Sequence, residues 1–491
     1  MVLGMFLLGL VLRAINVWPN NTIIGFDQVR DFFSVQKILQ GDLLIIGPTA
    51  GNNPNLHHGI AYIYYLLLPL FLGHGNPMWA VCWNCLFNAF SIFTIYLLGK
   101  EMFSKKTGLI SAFVFATSYQ LIQYSGWLSN PTVTVTTVPL FFLFLWRYLK
   151  NTGHKLNLPL ALFFLGLSIQ FELFFLYLIP ILLFIQIVFR PGFPSIKTIF
   201  LSLVTLSVSL STMALTEIKF GGAGIKSILG AGQMVGGGKT DYLSFINRYF
   251  ETFSLNLLPS YPNTGMFIAI IILTALVAFC VKQTKNPSPL VFLLIYLLSP
   301  SLMLLLGYHP SPWFLVGLSP TIVLAAGFTV SIIKSKIAIF FILTIVLISN
   351  LKAMHRQSGQ AFFEPDRSAI LSTQLAVIDY TYQTANGDSL AINSVTNPLY
   401  INALWAYHYS WYGQGKYGYL PTWLGGDQLY PYDTLSKATG YEKYVDLIID
   451  QTPRIPPVYK SEVVNSVKKT NYFVEEKTFD GLTVLKYQAT Q

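Results

Sequence analysis

The sequence predicts a multi-span α-helical membrane protein with about eleven transmembrane helices, a long first outer loop carrying amphipathic helices, and a small C-terminal α/β domain outside the membrane. Three observations predict it. Of 491 residues, 53% are hydrophobic and only 11% charged, too apolar for a soluble chain of this size. Apolar runs of roughly 17–25 residues, the length that crosses a bilayer, recur from Met1 to about residue 351. Beyond that point the apolar runs stop and short alternating segments take over.

The spans are expected at 1–18, 77–99, 107–124, 131–148, 156–171, 173–189, 197–216, 265–281, 289–306, 313–333 and 336–351. The first run, MVLGMFLLGLVLRAINVW, has no basic leader and no small-residue cleavage site, so it reads as a span rather than a signal peptide. Arg13, near its outer end, is expected to snorkel to headgroups. With the N-terminus cytoplasmic, the inside loops are KEMFSKK, RYLKNTGHK, RPGFPSIK, KQTKNPSP and KSK. They hold twelve of the nineteen Lys and Arg of residues 1–351 and one acid, Glu101. Basic residues gather on the cytoplasmic side of membrane proteins, and this bias sets the orientation.

The same count places the remaining acids of residues 1–351 outside: Asp27, Asp31, Asp42, Glu172, Glu217, Asp241 and Glu251. Residues 58–73, HGIAYIYYLLLPLFLG, are apolar enough to cross, yet crossing there would invert every later loop. They are expected to lie in the outer interface, leaving a first outer loop at 19–76. Within it, QVRDFFSVQKILQGD has helical spacing, with Val29, Phe32, Phe33, Val35 and Ile38 on one apolar face. Asp27 stands at the start of this helix, where the helix dipole favours a carboxylate. An ionised carboxylate at a membrane surface can activate a hydroxyl; it can equally keep an interfacial loop wet.

Residues 352–491 carry twelve basic and thirteen acidic residues, against nineteen and eight before them. DSLAINSV and VDLIIDQ read as strands, TNPLYINALWAYHYSWYG as a strand exit and an aromatic helix, and YFVEEKTFDGLTVLKYQ as a hairpin around Asp480-Gly481. An odd number of spans puts this domain outside. Cys82, Cys85 and Cys280 fall in spans with no His cluster nearby, so they are expected to be small buried hydrophobes rather than metal ligands. No internal repeat is evident.

At this point the order of segments matters more than any one of them: GFDQVRD, GDLLIIGPT, HHGIAYIYYLLLP, GKEMFSKKTGLISAFVFATS and NPT. Together they resemble the GT-C membrane glycosyltransferases of the family 39 type, which include protein O-mannosyltransferases and aminoarabinose transferases. The resemblance covers residues 1–150 by motif and the remainder by topology. It implies that a GT-C-like catalytic domain spans 1–351 and that Asp27 is the catalytic acid of the first loop. It further implies transfer of a hexosyl or pentosyl group from a polyprenyl-phosphate donor to a glycan, lipid or protein acceptor on the outer face.

Many relatives carry a second acid in the second outer loop, where SGWLSNPT has Asn130; this argues against a divalent metal bound between the two loops. Glu172, at the outer mouth of the fifth span, is the alternative position for a cation or for an acceptor contact. The leaving lipid phosphate needs positive charge or N–H donors. Candidates are Arg30, His57, His58, Lys226, Lys239, Arg248 and His309, with Asp31 as a positioning neighbour of Asp27 and Asn130 as a further substrate contact. The outer loop 217–264 contains GGAGIKSILGAGQMVGGGK, whose glycines suit close approach to a phosphate or a closing lid. Membrane lipids are expected partners and nucleic acid is not. A lipid-linked sugar flippase and a non-catalytic scaffold with an outer binding domain are the rival classes; the first predicts inverted repeats, the second no dependence on Asp27.

Overall fold

The computed structural model describes residues 1–50, 53–150, 154–229, 242–281, 288–305, 312–356 and 367–490. In chain order its helices are α1 Val2–Val17, α2 Phe26–Leu39, α3 Ala61–Leu72, α4 Pro77–Met102, α5 Lys105–Thr117, α6 Tyr119–Gly126, α7 Thr134–Leu149, α8 Asn157–Phe171, α9 Leu178–Phe189 and α10 Ile196–Lys219. They continue as α11 Ala223–Leu229, α12 Tyr242–Leu257, α13 Gly265–Cys280, α14 Pro289–Leu298, α15 Leu302–Leu305, α16 Ser319–Ser331, α17 Lys336–Arg356, α18 Leu371–Ala385, α19 Ala403–His408, α20 Gln414–Tyr417 and α21 Pro457–Lys468. The chain divides into two compact units. The first is Met1–Asn16, Leu43–Tyr65 and Cys82–Gln357; the second is Val17–Asp42, Leu66–Val81 and Ser358–Gln491. The expected boundary at 351 lies close to the last of these junctions, and the second unit also takes two stretches from the beginning of the chain.

The first unit is helical and built for lipid. Among the described residues, five helices are long and apolar enough to cross a membrane, and six shorter apolar helices accompany them. In α10, α13 and α17 only 11–22% of the apolar window is buried, so Phe200, Leu203, Ile270 and Phe340 face outward. Faces so apolar are stable only against hydrocarbon. The chain is an integral membrane protein. Helix α3 has twelve residues, a rise of about 18 Å, short of the roughly 30 Å hydrocarbon core.

Two details differ from the sequence expectations. The span expected at 107–124 is two helices, α5 and α6, broken at Ser118, whose ψ of 118° leaves the helical region. Freed backbone groups in an apolar setting need partners, and side chains from distant helices supply them. Asn350 Oδ1 accepts from Tyr119 N at 2.6 Å, while Ser118 Oγ donates to Asn256 Oδ1 at 3.0 Å. Arg13 does not snorkel. It is fully buried, its Nε and Nη2 donating to Asn88 Oδ1 (3.0 and 2.9 Å) and its Nη1 to the carbonyls of Gly9 and Ala116. Of the cysteines expected to be buried, Cys85 is, whereas Cys82 is exposed on α4 and Cys280 is half-buried.

The second unit holds a five-stranded sheet of β1 Leu390–Val395, β2 Thr422–Trp423, β3 Tyr444–Asp450, β4 Asn471–Phe479 and β5 Leu482–Ala489, in the order β2-β1-β3-β5-β4. The pairs β1–β2 and β1–β3 are parallel, and β3–β5 and β4–β5 antiparallel. The hairpin β4–β5 turns at Asp480-Gly481, where Gly481 has φ +90°, a conformation that favours glycine. Ala391, Val445, Leu447, Ile449, Val467 and Tyr487 form its core.

A short antiparallel tie fixes the chain ahead of α2. Ile24 N donates to Ala369 O (2.8 Å), Leu371 N to Thr22 O (2.9 Å) and Ser372 N to Asn20 O (3.1 Å). Gln374 Nε2 adds a bond to Ile24 O at 2.8 Å. Residues 20–24 are thus held by a segment some 350 positions further on.

Candidate functional site

Helix α2 begins after Gly25, whose N–H donates to Gln28 Oε1 at 2.9 Å, a side-chain cap for one orphan amide of the first turn. Its apolar face buries Val29, Phe32, Phe33 and Val35, as the 3.6-residue pattern requires. That leaves Asp27 and Arg30 toward the open side, and Asp31 one turn beyond Asp27 but turned inward. The Asp27 side chain is 70% exposed and that of Asp31 6%. Arg30 bridges them: Nη1 lies 2.8 Å from Asp27 Oδ1, and Nε and Nη2 lie 2.9 Å from Asp31 Oδ1. Burial pushes Asp31 up to about 6 against the pull of Arg30. Burial works against the Arg30 charge, yet the two carboxylates prevail and hold it above its ordinary value. An exposed carboxylate aimed by a guanidinium fork, itself anchored on a buried carboxylate, is a built arrangement.

The tail supplies residues that the sequence reading missed. The Tyr432 ring packs edge-on against Phe26 (6.0 Å between centroids) and Phe33 (5.3 Å). Burial raises the Tyr432 phenol, which also feels Arg30, Asp31 and Asp27. Tyr407 packs on Phe32 and Phe33, and Lys37 Nζ lies 4.4 Å over the Tyr430 ring. Further in, Gln374 Oε1 accepts from His408 Nε2 at 2.9 Å because the Gln374 amide nitrogen already donates to Ile24 O and Ser368 O. His408 is buried and pushed down to about 3, so it stays neutral as a structural donor. No local pattern marks Tyr407, Tyr430 and Tyr432, because their partners on α2 lie hundreds of positions away.

In the first unit a second group forms where the 43–60 segment meets the end of α8. Glu172 is 2% exposed, with Oε1 3.4 Å from His58 Nδ1 and 3.5 Å from Phe174 N. Asn130 Nδ2 donates to Phe171 O at 2.8 Å, and Gly59 N to Gln170 O at 2.9 Å. A Cβ on Gly59 would stand 2.8 Å from the backbone carbonyl oxygen of Gln170, which cannot swing aside, so the close approach favours glycine. His57 turns elsewhere: Nδ1 meets Gly47 O at 3.0 Å, which makes Nδ1 the protonated nitrogen, and its ring stacks on Phe220. The structure therefore brings together Asn130, His58 and Glu172, and separately Asp27, Arg30 and Asp31.

The other candidates are scattered. Lys226 is exposed on α11, and Arg248 pairs with Glu251 at 2.9 Å. Lys239, His309 and most of the glycine-rich run lie outside the described residues. Among the described residues no group of three or more His, Cys, Asp or Glu is placed to hold a metal ion.

Residues 58–215, about a third of the chain, match the family model described as dolichyl-phosphate-mannose-protein mannosyltransferase. A search of curated proteins finds no match. Among solved structures, ArnT from Cupriavidus metallidurans bound to undecaprenyl phosphate aligns over 99% of this chain and 97% of that one, with a TM-score of 0.64 at 8% identity. The apo form of the same protein gives 0.63 at 8% identity, with the same coverage. The archaeal oligosaccharyltransferase AglB from Archaeoglobus fulgidus aligns at 0.46 and 13% identity, over 100% of this chain and 74% of that one. The fold is that of the GT-C membrane glycosyltransferases. Within that class the chain is similar to the protein-mannosyltransferase and ArnT-like branch.

Proposed function

We propose that this protein transfers a sugar from a polyprenyl-phosphate donor to an acceptor hydroxyl on the outer face of the membrane, with Asp27 as general base. One observation carries the assignment of the base: Asp27 is the exposed carboxylate of the Asp27–Arg30–Asp31 group, at the start of a helix in a chain with the ArnT fold. The acceptor hydroxyl gives its proton to Asp27 as its oxygen attacks the anomeric carbon. The sugar–phosphate bond breaks in the same displacement, the polyprenyl phosphate leaves, and the configuration inverts. Arg30 aims Asp27 rather than holding the donor, since its guanidinium is already engaged by two carboxylates. The leaving phosphate needs cationic or N–H donors, as any phosphate leaving group does. Glu172 and His58 hold the 43–60 segment to the end of α8, and Asn130 ties its own loop to the same end.

The test is Asp27→Asn, which keeps volume and removes the base. Transfer from a defined polyprenyl-phosphate sugar should fall by about 10²–10⁴-fold, with binding of the donor lipid retained. Full activity in that variant removes Asp27 from the chemistry and leaves the scaffold reading. The topology that goes with this proposal is eleven spans and an external tail. A reporter fused after Lys106 should be cytoplasmic and one fused after residue 360 external. A cytoplasmic tail reporter would mean that residues 58–73 cross the membrane.

A further inference from the structure

We infer that a basic cavity at the ends of α7, α8 and α10 binds the headgroup of an anionic phospholipid, a site separate from and independent of the Asp27 reading. The cavity has a volume of about 360 Å³ and is bordered by Arg147, His154, Lys155, Phe193, Ser195 and Thr198. It is formed by two of the five basic loops, which also carry Lys150, Arg190 and Lys197. None of its lining residues is acidic. Arg147 pairs with Glu101 at 2.6 Å, which tempers that one cation. Lys155 is exposed at the cavity edge and carries the charge that an incoming anion meets.

The placement distinguishes a lipid from a free anion. One membrane helix ends at this cavity, at Leu149, and two begin there, at Asn157 and Ile196; such helix ends mark the headgroup level. Phe193, which borders the cavity, is fully exposed, and in the first turns of α10, the helix whose start closes the cavity, Ile196 is 85% exposed and Phe200 67%; no water-facing surface favours such side chains. A phosphoryl group on the floor with acyl chains against these three satisfies both halves of the surface. A small inorganic anion would leave them bare. Ser195 Oγ accepts from Thr198 N at the start of α10, and both residues border the cavity, so the cavity lies at a helix N-terminus, whose dipole favours an anion.

The probe is the full chain exchanged into vesicles of phosphatidylcholine with one-fifth phosphatidylglycerol, then analysed for co-purified lipid by native mass spectrometry. The parent should retain phosphatidylglycerol in preference to phosphatidylcholine. Lys155→Gln should weaken this about five-fold, the effect of one basic side chain at a membrane surface. Lys336→Gln, a basic residue at another helix start, should leave it unchanged. Phe193→Ser should weaken lipid retention without changing competition by inorganic phosphate. Equal losses in Lys155→Gln and Lys336→Gln would reduce the effect to diffuse charge and overturn the site. Displacement of lipid by millimolar phosphate, with Phe193→Ser silent, would overturn the lipid and leave an anion site.

Discussion

The chain has two carboxylate groups that invite a functional reading, and they differ in one respect that decides between them. Asp27 is largely exposed, paired with a guanidinium that is itself fixed by the buried Asp31. Glu172 is almost wholly buried, with a histidine nitrogen at 3.4 Å and a backbone amide at 3.5 Å as its partners. A base must meet its substrate and must be ionised when it does. The Asp27 group provides access and an aiming cation. The Glu172 group provides neither, and its partners tie backbone segments together. Scarcity of acids in an apolar sequence therefore marks places where an acid matters, but it does not separate chemistry from architecture. Burial does.

The largest expected effect tests the exposed side of this contrast. Asp27→Asn should lose about 10²–10⁴-fold in turnover, measured as sugar transfer per enzyme with donor binding checked in parallel. Were Glu172→Gln to lose as much while Asp27→Asn did not, the roles assigned above would be exchanged.

How far the sequence revealed this arrangement depends on the range of the interactions. The start of α2 was legible because a 3.6-residue apolar period and a dipole-favoured acid are local signals, and Val29, Phe32, Phe33 and Val35 are buried as that period requires. The strands β1 and β3 and the Asp480-Gly481 turn were legible for the same reason. The inward turn of Asp31 was not: spacing alone puts it on nearly the same face as Asp27, and the packing of Tyr407 and Tyr432 against α2 comes from the far end of the chain. The break at Ser118 was hidden because 107–124 is uniformly apolar and its capping partners, Asn256 and Asn350, lie 138 and 231 residues away. Arg13 misled for a related reason. Snorkelling is the default for an arginine near a span end, and here Asn88 on α4 and the carbonyls of Gly9 and Ala116 make burial tolerable.

A second, intermediate effect concerns the anchor of the exposed group. Asp31 is raised in the folded protein from 3.8 to about 6, chiefly by burial. A raised value means that the folded state holds the proton more tightly than the unfolded chain. The associated stability is complete below about pH 4 and is lost as the pH rises through about 6. The parent should therefore lose stability relative to Asp31→Asn between pH 4 and pH 7, by on the order of 2–3 kcal/mol as an upper bound. Thermal unfolding of both proteins across that range measures it. A constant difference would mean that Arg30 keeps Asp31 ionised throughout, making the anchor stronger than burial suggests.

The smallest expected effect falls on the buried side, and it is the sharper check of the comparison. Glutamine at position 172 keeps an oxygen for Phe174 N and offers an amide to His58, so both contacts of the side chain survive. Glu172→Gln should remain within a few-fold of parental transfer and within about 1 kcal/mol in stability. Glu172→Ala removes both contacts and empties a buried site, and should cost about 1–3 kcal/mol. Comparing the two variants separates a shape requirement from a charge requirement. If alanine and glutamine are equally and severely inactive while both remain folded, position 172 needs its carboxylic acid, and burial has misjudged which acid takes part in the reaction.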